Sequence, residues 1–344
     1  MNHPAGSTGI VGRYEVCEIR KRFEAVGHLR AAALAEKTWT CYSRAMSAFL
    51  AWLECFARTP SCSVSLDLFL VQYCEVQYDD NPKRGSRQHC VNAMSALEFT
   101  CAELAGRLVH TRQALRGWSR LSPARSPAPL SAEMVTAMAG FFYGTGRPML
   151  ALAVQVAFSA YLRAGELLSL QMHDICFNGD PRLANYHGSC AGLLIRSAKT
   201  GELQFVAIRD EEVVATLKSA LQALRAGGHC GLVFSLSYGQ LSASFKEAIQ
   251  YFGLPSSDFT LHSLRHGGAT RDFLRGVALQ DILVKGRWAS LSSCRRYLNA
   301  GQGLLLRVQV PRRGKRHIAS CAAIARNHQM REGWKTDAQT PHRA

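Results

Sequence analysis

The chain has no Cys-x-x-Cys pair and no Cys/His cluster at zinc-ligand spacing, although it contains 12 cysteines. Neither a metal site nor a disulfide framework is therefore indicated, and a reducing compartment suits thiols scattered in this way. Nor is there an apolar run long enough to cross a bilayer: the longest, from Met149 to Leu162, is too short and reads as a buried helix. The start of the chain lacks the basic-then-apolar pattern of a secretory signal. A membrane partner is not expected, and an intracellular location is. Internal repeats are missing as well. Acidic residues are scarce, with 25 Asp and Glu against 41 Lys and Arg, a net charge of +16. A balance this basic implies a polyanionic partner, nucleic acid first, because neutralising phosphates releases counterions. Charge alone would equally serve solubility, so the case has to be made at a site.

A length of 344 residues suits two domains. Residues 1–26 carry little periodic signal and read as a flexible lead-in. From Thr38 the residues Trp39, Tyr42, Met46, Phe49, Leu50 and Leu53 recur at helical steps, which marks one apolar face of a helix ending before Pro60. Further helices are predicted over Ser65–Tyr78, Ser86–Leu104 and Thr111–Trp118, giving a helical domain over 27–120. Lys83, Arg84, Arg87, Arg112 and Arg116, with Arg107 and Arg120, are candidates for DNA phosphate contacts there, although basic residues on helices are more often only solvated. Residues 121–130 hold three prolines and form a linker. The second domain is expected over 131–301, and a basic tail over 302–344.

Within the second domain an arginine, Arg163, emerges from a nearly continuous apolar stretch, with Glu166 three residues on. A buried guanidinium is costly unless paired, so a structural ion pair with Glu166 explains it as well as a functional role does. Two short β-like stretches, Gly192–Ala198 and Glu202–Ile208, flank Lys199-Thr200-Gly201, a turn signal that places Lys199 at a hairpin tip. The stretch Thr260–Asn299 is the richest. His262 and Arg265 share one face of a helix capped by Thr260 and stopped by Gly276. A second short helix covers Val277–Lys285, and a third, capped by Ser290 or Ser292, carries Arg295, Arg296 and Tyr297.

His262, Arg265, Trp288 and Tyr297, separated by 3, 23 and 9 residues, resemble the His-x-x-Arg, His/Trp, Tyr motif of the tyrosine recombinases, the phage-integrase family. The resemblance extends to Arg163 as the first catalytic arginine, Glu166 as its acidic companion and Lys199 as the hairpin lysine. Where the family usually has glycine before its His or Trp, this chain has Arg287. The Gly286-Arg287-Trp288 form is similar to that of recombinases from eukaryotic mobile elements.

The resemblance implies a mainly α fold with a small antiparallel β-sheet. It makes 27–120 a core-binding DNA-binding domain and 131–301 the tyrosine-recombinase catalytic domain. It implies site-specific DNA recombination or integration through a 3′-phosphotyrosine, with Tyr297 as nucleophile. Arg163 and Arg265 would hold the phosphate, His262 would accept or orient a proton, Trp288 would donate its indole N–H or pack behind the nucleophile, and Lys199 would act as general acid. No metal and no cofactor are implied. The partners are double-stranded DNA and further copies of the chain, a tetramer on two synapsed sites, with a tail that docks on a neighbour. The location would be the nucleus in a eukaryote, or the cytoplasm and nucleoid in a prokaryote. The tail's 312–317 basic run also reads as a nuclear address, a phosphate contact or a disordered end. Two alternatives remain at this level. One is a strand-rotating tyrosine topoisomerase, which usually has lysine where His262 stands; the other is a domesticated, non-catalytic DNA-binding protein.

Overall fold

A computed structural model describes residues 14–123, 127–183, 190–196, 203–295, 298 and 310–337, without the side chains of Arg84 and of residues beyond His328. Two units are present, divided between Arg125 and Ser126 within the Pro-rich stretch.

The first unit is helical: α1 (Val16–Glu24), α2 (His28–Ala32), α3 (Glu36–Cys55), α4 (Ser63–Asp80), α5 (Arg84–Thr100) and α6 (Val109–Leu121). Met46, Phe49, Leu50 and Leu53 of α3 face a core shared with Leu66 and Leu70 of α4, Leu97 of α5 and Trp118 of α6. That is the helical face expected from the spacing. One buried acid ties the unit together. Asp67 on α4 accepts from the backbone N–H groups of His110 and Thr111 at 2.9 and 3.0 Å and from the Thr111 hydroxyl at 2.6 Å, so it caps the N-terminus of α6, where a carboxylate is favoured.

The expected flexible lead-in is corrected within this unit. Val16–Glu24 is a helix whose Ile19 is fully buried, with Tyr14 buried beside it. Phe23 stacks on Trp39 with centroids 4.9 Å apart. Residues 1–13 lie outside the described residues.

The second unit opens with α7 (Ala132–Gly144), capped by the Ser131 hydroxyl, and α8 (Pro148–Ser159), which starts on its proline. Nearly every side chain of α8 is buried, as a helix apolar on all sides requires. Next come α9 (Ala164–Leu168) and a three-stranded antiparallel sheet of β1 (Ile175–Phe177), β2 (Ala191–Ile195) and β3 (Gln204–Ile208) in that spatial order. The β2–β3 pairing runs from Ala191 opposite Ile208 to Ile195 opposite Gln204. The remaining described helices are α10 (Glu211–Ala226), α11 (Tyr238–Tyr251), α12 (His262–Leu274), α13 (Leu279–Gly286), α14 (Leu291–Arg295) and α15 (Arg312–Asp337). The architecture is mainly α with a small antiparallel sheet.

Within the basic tail expected over 302–344, Arg312–Asp337 is a helix, α15, so the reading of its 312–317 run as a disordered end does not hold. Ile318, Cys321, Ala322 and Ala325 are buried in the core cluster or beside it, while Arg312, Arg313, Lys315 and Arg316 stay exposed. Small residues let it lie close along α7: a Cβ on Gly140 would sit 1.7 Å from the Cys321 carbonyl oxygen. Gly140→Leu is therefore expected to displace α15 while the first unit stays folded. Hydrogen exchange over 312–325 would show it, and unchanged protection there would refute the contact.

Candidate active site

Two helix ends deliver the site. Helix α8 closes with the Leu162 N–H donating to the Ala157 carbonyl at 3.0 Å, with Tyr161 in the left-handed region at φ 49°. Helix α13 closes in the same manner, the Trp288 N–H donating to the Leu283 carbonyl at 3.1 Å, with Arg287 left-handed at φ 56°. Glycine is the usual occupant of such a position, because a Cβ is crowded there. Here both are large side chains.

Past Tyr161 the chain sets Arg163 at the N-cap of α9, and Glu166 reaches back to it. Glu166 Oε2 accepts from the Arg163 backbone N–H at 2.8 Å, and Oε1 accepts from Arg163 Nη1 at 2.5 Å. The ion pair of the structural reading is present, and the Arg163 side chain remains 32% exposed while that of Glu166 is 3% exposed.

Helix α12 brings Arg265, which has no solvent exposure. Its Nη1 donates to the Tyr161 carbonyl and its Nη2 to the Gly286 carbonyl. Nη1 also lies 3.8 Å from Glu166 Oε2. Trp288 covers the guanidinium, its ring centroid 4.9 Å from the Arg265 carbon Cζ, and stacks on Tyr161 at 6.2 Å. Trp288 thus packs on an arginine. Gly286 makes room for it, since a Cβ there would come within 1.9 Å of the indole. His262 begins α12, partly exposed; its N–H donates to the Thr260 hydroxyl at 3.2 Å, and its ring meets that of His266 edge-on at 5.5 Å.

No protein-family model and no curated protein sequence matches the chain. Solved structures do. The Tn1549 transposon integrase in complex with circular intermediate DNA superposes with a TM-score of 0.58 at 13% identity, covering 85% of this chain and 99% of that one. A lambda integrase dimer bound to a core site gives 0.57 at 17% identity, covering 83% and 95%. A lambda integrase tetramer bound to a Holliday junction gives 0.52 at 16%, covering 84% and 78%.

The chain has the tyrosine-recombinase fold.

On the tyrosine-recombinase fold of this chain, Arg163, Glu166, Arg265 and Trp288 converge from three separate elements. Lys199 and Tyr297 lie outside the described residues. Strands β2 and β3 bracket the stretch that contains Lys199, and α14, capped by the Ser290 hydroxyl accepting from the Ser293 N–H at 3.2 Å, precedes Tyr297. The N-cap of α12 is Leu261 and not the expected Thr260, which stands one residue earlier and accepts from the His262 N–H, because the chain already turns at Leu261; Gly276 follows the end of that helix with φ 81°.

The expectation that both arginines offer open forks to a phosphate needs adjustment. Arg163 faces outward, whereas Arg265 spends two donors on carbonyls and contributes its charge from within. Among the first unit's candidates, Arg87 donates to the Leu115 carbonyl at 3.1 Å and Arg112 pairs with Glu98, which reduces what either can offer DNA. Lys83 and Arg116 are exposed, and the Arg84 side chain is outside the described set.

Spacing singled out neither Asp272 nor the Tyr161 phenol that it holds. Asp272 accepts from the Tyr161 phenol and from Lys285 Nζ at 2.9 Å, both at Oδ2, and from Arg271 Nε at 2.8 Å. Burial pushes the Asp272 carboxyl up, but Lys285 and Arg271 hold it below the usual carboxylate range. Burial likewise pushes the Tyr161 phenol well up, and the Asp272 charge adds to this. This network pins the Tyr161 ring from behind, so the carbonyl of Tyr161 is fixed for Arg265. Arg287, noted in the sequence for standing where the resembling family usually has glycine, also reaches the site, on Glu166.

Proposed function

We propose that the chain is a site-specific DNA recombinase or integrase that cleaves and rejoins double-stranded DNA through a 3′-phosphotyrosine. The observation that carries this is the meeting of Arg163 and Arg265 at one carboxylate, Glu166, on a tyrosine-recombinase fold. Two fixed positive charges at one point suit a phosphodiester whose transition state carries extra negative charge.

Arg163 grips a non-bridging oxygen, and Arg265 adds charge behind it. Tyr297 attacks phosphorus, forming the phosphotyrosyl bond as the bond to the 5′ oxygen breaks. His262 takes or orients the phenol proton, a task suited to an imidazole, whose ring nitrogens can accept or donate. Lys199 protonates the departing 5′ oxygen. Attack by a 5′-hydroxyl on the phosphotyrosine reverses the bonding and reseals the strand, so the linkage energy is conserved and no nucleotide is consumed. The first unit, with Lys83 and Arg116 exposed, serves as the core-binding domain, and several copies assemble on synapsed DNA. The neighbours bound to DNA as dimer and tetramer support that assembly. Such an enzyme works where DNA is held, in a nucleus or a nucleoid.

The test begins by selecting bound sequences from a random duplex library to obtain a site. A nicked duplex of that site, which loses its 5′-hydroxyl fragment after cleavage, should then trap a denaturant-resistant adduct. Peptide mapping should locate the DNA on Tyr297. An adduct on another residue, or none on a duplex the protein binds, would overturn the reading.

A further inference from the structure

Arg287 occupies a backbone conformation that costs a side chain strain and would cost glycine none. Its φ of 56° and ψ of 43° lie in the left-handed region at the end of α13. Strain of this kind persists where the surroundings over-determine the residue. The use is visible. Arg287 Nη2 donates to Glu166 Oε2 at 2.6 Å and to the Tyr161 carbonyl at 3.1 Å, and Nη1 reaches the Lys285 carbonyl at 3.3 Å. The side chain is 4% exposed. Its contact Tyr161 is itself left-handed, so two of the three such non-glycine residues among those described are bonded to each other beside Arg163.

We propose that Arg287 is a positioning residue: it holds the Oε2 edge of Glu166 and the Tyr161 carbonyl, and thereby fixes Arg163, which hangs from the other edge of the same carboxylate. This rests on the function proposed above for Arg163. Glu166 is the pivot. The charged groups that face it are Arg163 of its own turn, Arg265 of α12 and Arg287 beyond α13, and among the described residues no ion pair joins it to any other element. Three guanidiniums around one carboxylate leave a net charge of two, the same charge that two arginines would present without an acid. What the additional pair supplies is direction: Oε2, which accepts from the Arg163 backbone N–H, is held a second time from a distant element, so the carboxylate cannot swing with its own turn and the Arg163 guanidinium on Oε1 has one orientation.

The electrostatics agree. Burial pushes the Glu166 carboxyl up, yet Arg287 first, and then Arg163, hold it below the usual carboxylate range. With Arg287 removed, burial is opposed by less positive charge and the carboxyl pKa rises. Glu166 is ionised above its pKa, so the variant loses its orienting carboxylate as pH falls through the raised value, where the parent keeps it.

Glycine is the decisive substitution, because Arg287→Gly relieves the backbone and removes only the clamp. On the trapping duplex, Arg287→Gly and Arg287→Met are expected to cleave about 100-fold more slowly in a single turnover, the cost of a misplaced reacting group. DNA affinity should stay within about threefold, since phosphate contacts elsewhere set it. The acid limb of the cleavage profile should move to higher pH, and Arg287→Lys should recover part of both effects. Cleavage by Arg287→Gly at the parent rate across the pH range overturns the proposal, as does a loss of rate matched by an equal loss of affinity. If the parent itself forms no adduct, the recombinase reading fails separately. The Glu166 carboxyl titration, followed by carbon NMR in DNA-free protein, then still decides: a midpoint raised in Arg287→Met supports the clamp, and an unmoved one overturns it.

Discussion

Arg265→Ala is expected to lower stability by roughly 3–5 kcal/mol and to reduce strand cleavage by at least about 10³-fold. The stability loss follows from what the guanidinium satisfies. With no solvent exposure, it donates to the carbonyls of Tyr161 and Gly286 and supports the face of Trp288. Alanine leaves the buried Gly286 carbonyl without its donor and the Tyr161 carbonyl with Arg287 alone, and an unsatisfied buried acceptor costs about 1–3 kcal/mol. It also opens a cavity beneath the indole. At about 2–4 °C per kcal/mol for a domain of this size, the second unit should melt roughly 10 °C lower. The catalytic loss has a different origin, the removal of one of the two charges proposed to act on the phosphate. Arg265→Lys separates the two effects. It keeps a charge but cannot span both carbonyls, so part of the stability returns while cleavage stays about 100-fold down. A melting temperature within about 1 °C of the parent for Arg265→Ala would mean that the buried geometry is wrong.

That prediction rests on a feature only half legible in the sequence. The periodicity of α12 placed His262 and Arg265 on one face, and Gly276 marked its end, because a left-handed helix stop leaves a residue-type signature. Lys199-Thr200-Gly201 between β-like stretches marked the hairpin strands for the same reason. Whether Arg265 points out or in depends on carbonyls of Tyr161 and Gly286, contributed by distant turns, and no local pattern encodes that. Glu166 could be seen as the partner of Arg163 three residues away, but Arg287 arrives at the same carboxylate from far along the chain. Weak local signals also hid two helices. Helix α1 is short and buries chiefly Ile19, so it shows almost no apolar stripe. Helix α15 buries Ile318, Cys321, Ala322 and Ala325 among arginines and lysines. Small residues give little hydrophobic signal, yet they are what permits close approach to Gly140. Strand β1, of three residues, is shorter than any alternation can reveal.

The second large effect is expected at Gly268. Helix α12 lies so close to the end of α8 that a Cβ on Gly268 would stand 2.0 Å from the Phe158 carbonyl oxygen and 2.7 Å from the Tyr161 ring. Its neighbour Gly267 is similarly placed, 2.1 Å from the Leu130 carbonyl oxygen. An obstructing side chain can change rotamer, but a backbone carbonyl near the end of α8 moves only if α8 and α12 separate. Overpacking of a flexible core costs about 1–3 kcal/mol and occasionally more, and Gly268→Ala should lie at or above the upper end. Glycine's ordinary penalty inside a helix acts in the opposite direction, by about 0.8–1.0 kcal/mol, so the measured destabilisation is the steric cost less that gain. Gly117, within α6 and with nothing near its Cβ position, isolates that gain: Gly117→Ala should stabilise the first unit. Function should suffer beyond stability, because α8 leads through Tyr161 to Arg163 while α12 carries Arg265. A separation of about 1 Å between the two helices moves one arginine away from the other, and a displacement of that size costs about 100-fold in rate. Gly268→Ala should therefore cleave slowly even well below its melting temperature while still binding DNA. Denaturant unfolding combined with single-turnover cleavage measures both effects, and a variant as stable and as fast as the parent would show that the two helices are not in contact at Gly268.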